Sequence, residues 1–224
     1  MSATAADHGF MGRALQLAAQ GLYTAHPNPR VGCLIVAGGE VVAEGWHRRT
    51  GGPHAEVVAL AAAGPRARGA TAYVTLEPCC HQGRTPPCTR ALIEAGIARV
   101  VYAAGDANRK VAGQGAAALR AADIEVVAGV LEAEARVLNQ GFFSRMERGR
   151  PWLRSKLATS LDGRTALASG ESRWISGEAA RRDVHALRAR SSAILTGIGT
   201  VLADDPALTV RRTDLGELLP PERV

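Results

Sequence analysis

His54, Glu56, Cys79 and Cys88 are the residues of this chain whose types and spacing suit chemistry. One imidazole and two thiols supply three ligands for a single zinc. A fourth tetrahedral position is then left for water, the ligand count of a catalytic site rather than a closed structural one. Two thiolates and a neutral imidazole cancel the charge of Zn²⁺, and the metal can still acidify a bound water. Glu56 follows the first ligand by two positions, where it can handle protons without binding the metal. The expected chemistry is hydrolytic deamination at an amidine-like ring carbon, with Glu56 passing a proton to a ring nitrogen and to the leaving amine. A closed structural zinc site is the competing reading, and Cys80 and His81 are its candidate fourth ligands.

The elements that must position these residues follow from periodicity and punctuation. Residues 10–20 read as a helix ended by Gly21, and His26-Pro27-Asn28-Pro29 as a rigid turn. Residues 31–36 and 41–46 read as strands joined by a Gly38-Gly39 hairpin turn. A helix is expected over 54–63, with His54 and Glu56 in its first turn, then a strand over 71–76. Cys79 follows that strand, and Cys88 stands just before a helix over 89–95. Helix N-termini stabilise thiolates, so both cysteines are expected to ionise. Strands over 99–104 and 124–127 flank a helix over 114–122, and a last helix covers 131–146. Strands alternating with helices predict an α/β fold with a mixed or parallel sheet covered on both faces.

Residues 147–151 are polar and end in proline, which marks a boundary between domains at 1–147 and 148–224. Beyond it come an expected strand over 152–159, a turn at 162–164, a helix over 178–189 and a strand over 193–197.

Composition narrows the class. The formal charge of +6 is spread along the chain, and aromatic residues make up only 4%, which disfavours a base-stacking surface. We expect a small-molecule partner, no nucleic acid and no membrane. Three of the four cysteines crowd into residues 79–88, a metal pattern rather than a disulfide frame. The persistent thiols, the lack of a long apolar run and the lack of a signal-peptide pattern in residues 1–20 fit a cytoplasmic protein. Cys33 reads as a core residue, Cys80 as a neighbour of the metal, Trp46 as packing, and His8 and His185 as surface.

His54-Ala-Glu56, Leu76-Glu-Pro-Cys79 and Gly83-Arg-Thr-Pro-Pro-Cys88 together resemble the bifunctional riboflavin-biosynthesis deaminase–reductases. Cytidine and tRNA-adenosine deaminases place two residues between their cysteines, whereas eight separate Cys79 from Cys88. His26-Pro-Asn28-Pro-Arg-Val-Gly32-Cys33 is a second matching motif. The resemblance implies a cytidine-deaminase-like three-layer α/β/α sandwich. It also implies deamination of 2,5-diamino-6-ribosylamino-4(3H)-pyrimidinone 5′-phosphate. His54, Cys79 and Cys88 would hold zinc and Glu56 would shuttle the proton. Asn28, His47, His81 and Arg84 would contact the substrate, with Arg84 suited to its phosphate. A nucleoside or tRNA deaminase and a non-catalytic zinc module are the alternatives.

Residues 151–224 resemble the start of the same family's reductase domain, through Lys156-Leu-Ala158-Thr-Ser160-Leu-Asp162-Gly-Arg164, Ser169-Gly-Glu-Ser172-Arg-Trp174 and Thr200-Val-Leu-Ala-Asp204-Asp-Pro206-Ala-Leu208-Thr-Val-Arg211. The resemblance implies the beginning of a dihydrofolate-reductase-like α/β domain that uses NADPH. Ala158, Trp174, Thr200 and Asp204 would then face NADP. Lys156, Ser172, Arg188, Leu208 and Arg211 would face the reductase substrate. The family's reductase domain is longer, so we expect a working deaminase, an incomplete reductase, and either homo-oligomeric association or partial disorder beyond about residue 150.

Overall fold

The computed structural model describes residues 2–82, 86–108 and 112–224. The chain divides into two compact units, Met1–Trp152 and Leu153–Val224.

The first unit is built on a five-stranded sheet, β1 (Gly32–Ala37), β2 (Glu40–Trp46), β3 (Thr71–Leu76), β4 (Arg99–Ala104) and β5 (Glu125–Ala128). The strand order is β2-β1-β3-β4-β5. β1 runs antiparallel to β2 and β3, while β3, β4 and β5 are mutually parallel. Side chains alternate between faces with the period of two that a strand imposes. Leu34, Val36, Tyr73, Val101 and Val127 share one core with α1 (Ala5–Ala19), α5 (Glu132–Leu138) and α6 (Gln140–Arg148). Cys33, Ile35, Ala72, Val74 and Val100 share the other core with α2 (Ala55–Ala63), α3 (Cys88–Glu94) and α4 (Gln114–Ala121). Two buried faces explain why β3 and β4 are predominantly apolar rather than alternating with charged residues. The result is a three-layer α/β/α sandwich.

Several boundaries differ from expectation. α1 begins at Ala5 because Thr4 and Asp7 form a reciprocal capping box. His54 is the N-cap of α2 rather than part of its first turn, with an extended backbone (φ −73°, ψ 159°). The single helix expected over 131–146 is broken at Asn139. That side chain is buried and satisfies another segment's backbone: its Oδ1 accepts from Arg30 N at 2.8 Å, and its Nδ2 donates to Arg30 O at 2.9 Å.

An ion pair with a buried carboxylate ties α1 to the start of β4. Arg99 grips Asp7 through two hydrogen bonds of 2.7 and 3.0 Å, and the Tyr73 hydroxyl donates to Asp7 at 2.8 Å. The Arg99 guanidinium holds the Asp7 carboxyl well below the usual carboxylate range. Burial, with Asp7 beside it, pushes the Tyr73 phenol up to about 12.

The second unit holds α7 (Glu178–Ala189), β6 (Ala193–Ile194), α8 (Ile198–Asp204) and β7 (Glu222–Arg223), with β6 and β7 parallel. No strand forms over residues 152–159, contrary to expectation. These residues find no ladder partner among the described residues, and a strand needs a neighbour to satisfy its peptide groups. Only Ala189 and Pro221 of the described residues in this unit are fully buried. Leu153, Leu157, Leu161, Leu195 and Leu202 are exposed.

Candidate active site

The carboxyl ends of β3 and β4 open onto a cavity of about 220 Å³. This is where ligands bind in open sheets with parallel strands. α2 reaches the cavity because Gly45 lets it lie against β2. A Cβ at Gly45 would meet Ala55 O at 2.5 Å and Ala59 N at 2.6 Å. The close approach brings His54, at the helix N-cap, and Glu56, in the first turn, to the cavity wall. Cys79 arrives from the other side, three residues beyond the end of β3. Cys88 opens α3, and its backbone N–H donates to Cys79 Sγ at 3.3 Å.

His54, Cys79 and Cys88 each offer one donor atom, and these atoms lie within 4.8 Å of one another. His54 Nδ1 stands 3.1 Å from Cys88 Sγ and 3.7 Å from Cys79 Sγ. A tetrahedral zinc at its usual bond lengths spaces such donors roughly 3.5–3.8 Å apart. The donor set fits zinc in kind, with Nδ1 as the imidazole ligand, and the 3.7 Å separation from Cys79 already matches while the 3.1 Å one from Cys88 would open slightly around the metal. Cys80 and His81, the expected candidates for a fourth ligand, do not belong to this cluster.

Hydrogen bonding from Cys88 and from His54 lowers the Cys79 thiol to about 4. The same contact with Cys79, together with burial, pushes the Cys88 thiol up. A cation bound by both sulfurs would displace protons from them. Glu56 is buried, and burial raises its carboxyl above the ordinary range, against the pull of His54. A carboxyl moved towards neutrality is suited to both accepting and returning a proton.

A second set of polar groups faces the same cavity. His47 is buried, its Nδ1 lies 3.0 Å from Pro53 O, and its Nε2 lies 3.1 Å from Asn28 Nδ2. Burial lowers its basicity. His81 also lines the cavity, and its Nδ1 is buried without a hydrogen-bond partner among the described residues. Arg84 lies outside the described residues.

The cavity wall includes residues that the sequence analysis did not single out: Glu77, Asp106, Asn108, Phe142, Arg145 and Met146. Burial pushes the Asp106 carboxyl up to about 6. A usable signal existed for Asp106 and Asn108, since they follow β4 as Glu77 and Cys79 follow β3. No local pattern marks the α6 residues, which reach the cavity only through tertiary packing. Cys33 is fully buried in the sheet, as expected of a core thiol.

In the second unit, Thr200 and Asp204 lie on α8, and Lys156 and Ala158 lie in irregular chain. The Arg181 guanidinium covers the Trp174 ring at 4.3 Å. Arg188 Nη1 donates to Thr209 O at 3.1 Å, and Arg211 N donates to His185 Nδ1 at 3.2 Å. The last contact leaves His185 half-buried rather than at the open surface. Ser172 is exposed and Leu208 half-buried.

The fold and the donor set define a deaminase-type metal domain. Residues 4–104 match the cytidine and deoxycytidylate deaminase zinc-binding region, and residues 151–223 match the RibD C-terminal domain. Over the residues it shares with them, the chain is similar to riboflavin biosynthesis proteins RibD. It is 60% identical to riboflavin biosynthesis protein RibD of Escherichia coli over 94% of this chain and 58% of that one. It is similar in structure to Acinetobacter baumannii RibD, with a TM-score of 0.92 and 52% identity, over 97% of this chain and 62% of that one. A Thermotoga maritima diaminohydroxyphosphoribosylaminopyrimidine deaminase/5-amino-6-(5-phosphoribosylamino)uracil reductase matches with a TM-score of 0.90 and 44% identity, at the same coverage. The chain thus spans about three fifths of the length of these relatives. Among the described residues, no helix is long and apolar enough to cross a membrane.

Proposed function

We propose that the first unit carries out zinc-dependent hydrolytic deamination in riboflavin biosynthesis. The reaction converts 2,5-diamino-6-ribosylamino-4(3H)-pyrimidinone 5′-phosphate to 5-amino-6-(5-phosphoribosylamino)uracil. The observation that carries this reading is the convergence of His54 Nδ1, Cys79 Sγ and Cys88 Sγ beside the buried Glu56. Zinc held by these three residues would supply Lewis acidity and an acidified water.

Glu56 would take up the water's proton and pass it to the ring nitrogen, then take the proton of the newly added hydroxyl and pass it to the departing amine as the C–N bond breaks. His47 and Asn28 orient the pyrimidine, and the Asn28 side-chain oxygen remains available to accept from it. His81 offers a further polar contact, and Arg84 pairs with the phosphate. The eight residues between Cys79 and Cys88 favour this substrate over nucleosides and tRNA.

The segment matching the RibD C-terminal domain is proposed as part of an NADPH-dependent reductase that converts the ribosyl group to ribityl. Ala158, Trp174, Thr200 and Asp204 would face NADP. Lys156, Ser172, Arg188, Leu208 and Arg211 would face the substrate. Its scarcity of buried side chains supports a reductase site that this stretch does not complete by itself. Its exposed leucines support association into a homo-oligomer. The reading includes a cytoplasmic setting and neither nucleic acid nor membrane as partner.

Glu56→Ala separates catalysis from a purely structural zinc role. Zinc content should persist while ammonia release falls by at least about a hundredfold. Turnover that survived the change would contradict the role given to Glu56.

A further inference from the structure

Glu77 takes no part in the chemistry described so far, yet its carboxylate is buried at the junction of the site's two halves. It stands between the end of β3 and the metal-ligating Cys79, and its backbone N–H continues the pairing with β4 by donating to Ala104 O at 2.9 Å. Its side chain points the opposite obligation at a different segment. One oxygen accepts from Ala116 N at 3.0 Å, and the other accepts from Gly113 N at 2.9 Å and Asp106 N at 3.3 Å. Two of these donors belong to the N-terminus of α4, which would otherwise leave them unsatisfied. Three N–H groups and a helix N-terminus are enough to hold a carboxylate out of water without a cation.

The segment so held is the one that faces the cavity. Asp106 and Asn108 lie in the cavity wall, and Asp106 Oδ1 accepts from Asn108 N at 2.8 Å, which closes the turn between them. The first turn of α4 also backs directly onto the metal-side strand end. A Cβ at Gly115 would lie 2.0 Å from Pro78 O. One carboxylate therefore fixes the spacing between Cys79 and the groups across the cavity from it.

We infer that Glu77 is a positioning residue that locks the Asp106–Asn108 segment against the metal-ligand end of β3 and thereby sets substrate affinity. The inference rests on the deaminase reading of this cavity. Glu77→Gln tests it in the full chain, because the amide turns an N–H₂ towards donors that need an acceptor.

With zinc content unchanged, KM for the diaminopyrimidinone phosphate should rise about tenfold or more, while kcat stays within about threefold. Hydrogen exchange at Gly113 and Ala116 should accelerate by at least about tenfold. A lowered melting temperature with unchanged KM would mean a merely structural role and would overturn the inference. If the variant does not fold, the wild-type chain still decides. Its Asp106, Gly113 and Ala116 amides should be protected, and exchange at the rate of open loops would overturn the inference. A wild-type chain that binds zinc but releases no ammonia would instead remove the deaminase reading. The amide protection would be untouched by that result.

Discussion

Asn28 and His47 are joined by a hydrogen bond whose direction is dictated from the far side of the imidazole. Pro53 O can only accept, so His47 Nδ1 donates to it. In the neutral ring Nε2 is then an acceptor, and Asn28 must present its N–H₂. The Asn28 oxygen is left to receive a donor from a ligand. Burial keeps His47 on the neutral side, consistent with this arrangement. Asn28→Leu leaves Nε2 without its donor and the ligand without its acceptor. KM should rise about tenfold to a hundredfold with zinc content unchanged. Steady-state kinetics with metal analysis check this, and an unchanged KM would count against the assignment.

The approach of α2 to β2 leads to a second prediction. Gly45→Ala places a methyl group against Ala55 O and Ala59 N. Both are backbone atoms of α2, so the helix must move and take His54 and Glu56 with it. We expect a loss of about 2 kcal/mol in stability and weaker zinc retention. Zinc occupancy in the presence of a graded chelator reads the second effect.

The Asp7–Arg99 pair predicts the acid limb of stability. Asp7 titrates lower in the folded chain than in the unfolded one, so the unfolded chain binds more protons in acid. The contribution is complete above about pH 4, the ordinary carboxylate value, and is lost as pH falls from there towards the folded value. Arg99→Met leaves Asp7 buried without its guanidinium and should cost about 3 kcal/mol near neutrality. Urea unfolding from neutral to strongly acidic pH should show a shallower acid decline in the variant than in the parent.

Asn139 supports the turn that carries Asn28. Asn139→Ala leaves the N–H and C=O of Arg30 without their shared partner, at a cost of about 2 kcal/mol. A change in unfolding free energy of less than a few tenths of a kcal/mol, read from denaturant unfolding, would show that Asn139 is dispensable.

Much of the first unit was legible because its signals are local. β3 and β4 fall where their apolar runs between breakers place them. His54, Cys79 and Cys88, whose donor atoms the fold brings within 4.8 Å of one another, stood out by residue type and spacing. What escaped reading depends on distant partners. α1 starts early because Asp7 answers Thr4, and Asp7 also meets Arg99 on β4. The break at Asn139 exists because that side chain serves Arg30, more than a hundred residues away in sequence. Asp106 and Asn108 enter the cavity because β3 and β4 are parallel neighbours, so the residues that follow each strand meet at one end of the sheet. Residues 152–159 carry an apolar pattern, but a pattern without a partner strand does not become a strand.

The central claim is that this chain deaminates a phosphorylated diaminopyrimidinone with the metal held by His54, Cys79 and Cys88. Ammonia release from 2,5-diamino-6-ribosylamino-4(3H)-pyrimidinone 5′-phosphate tests it most directly, measured on zinc-loaded protein, after chelation and after zinc is restored. The account predicts stoichiometric release that chelation abolishes and zinc recovers. Zinc-loaded protein that releases no ammonia, or release that persists after the metal is removed, would contradict it.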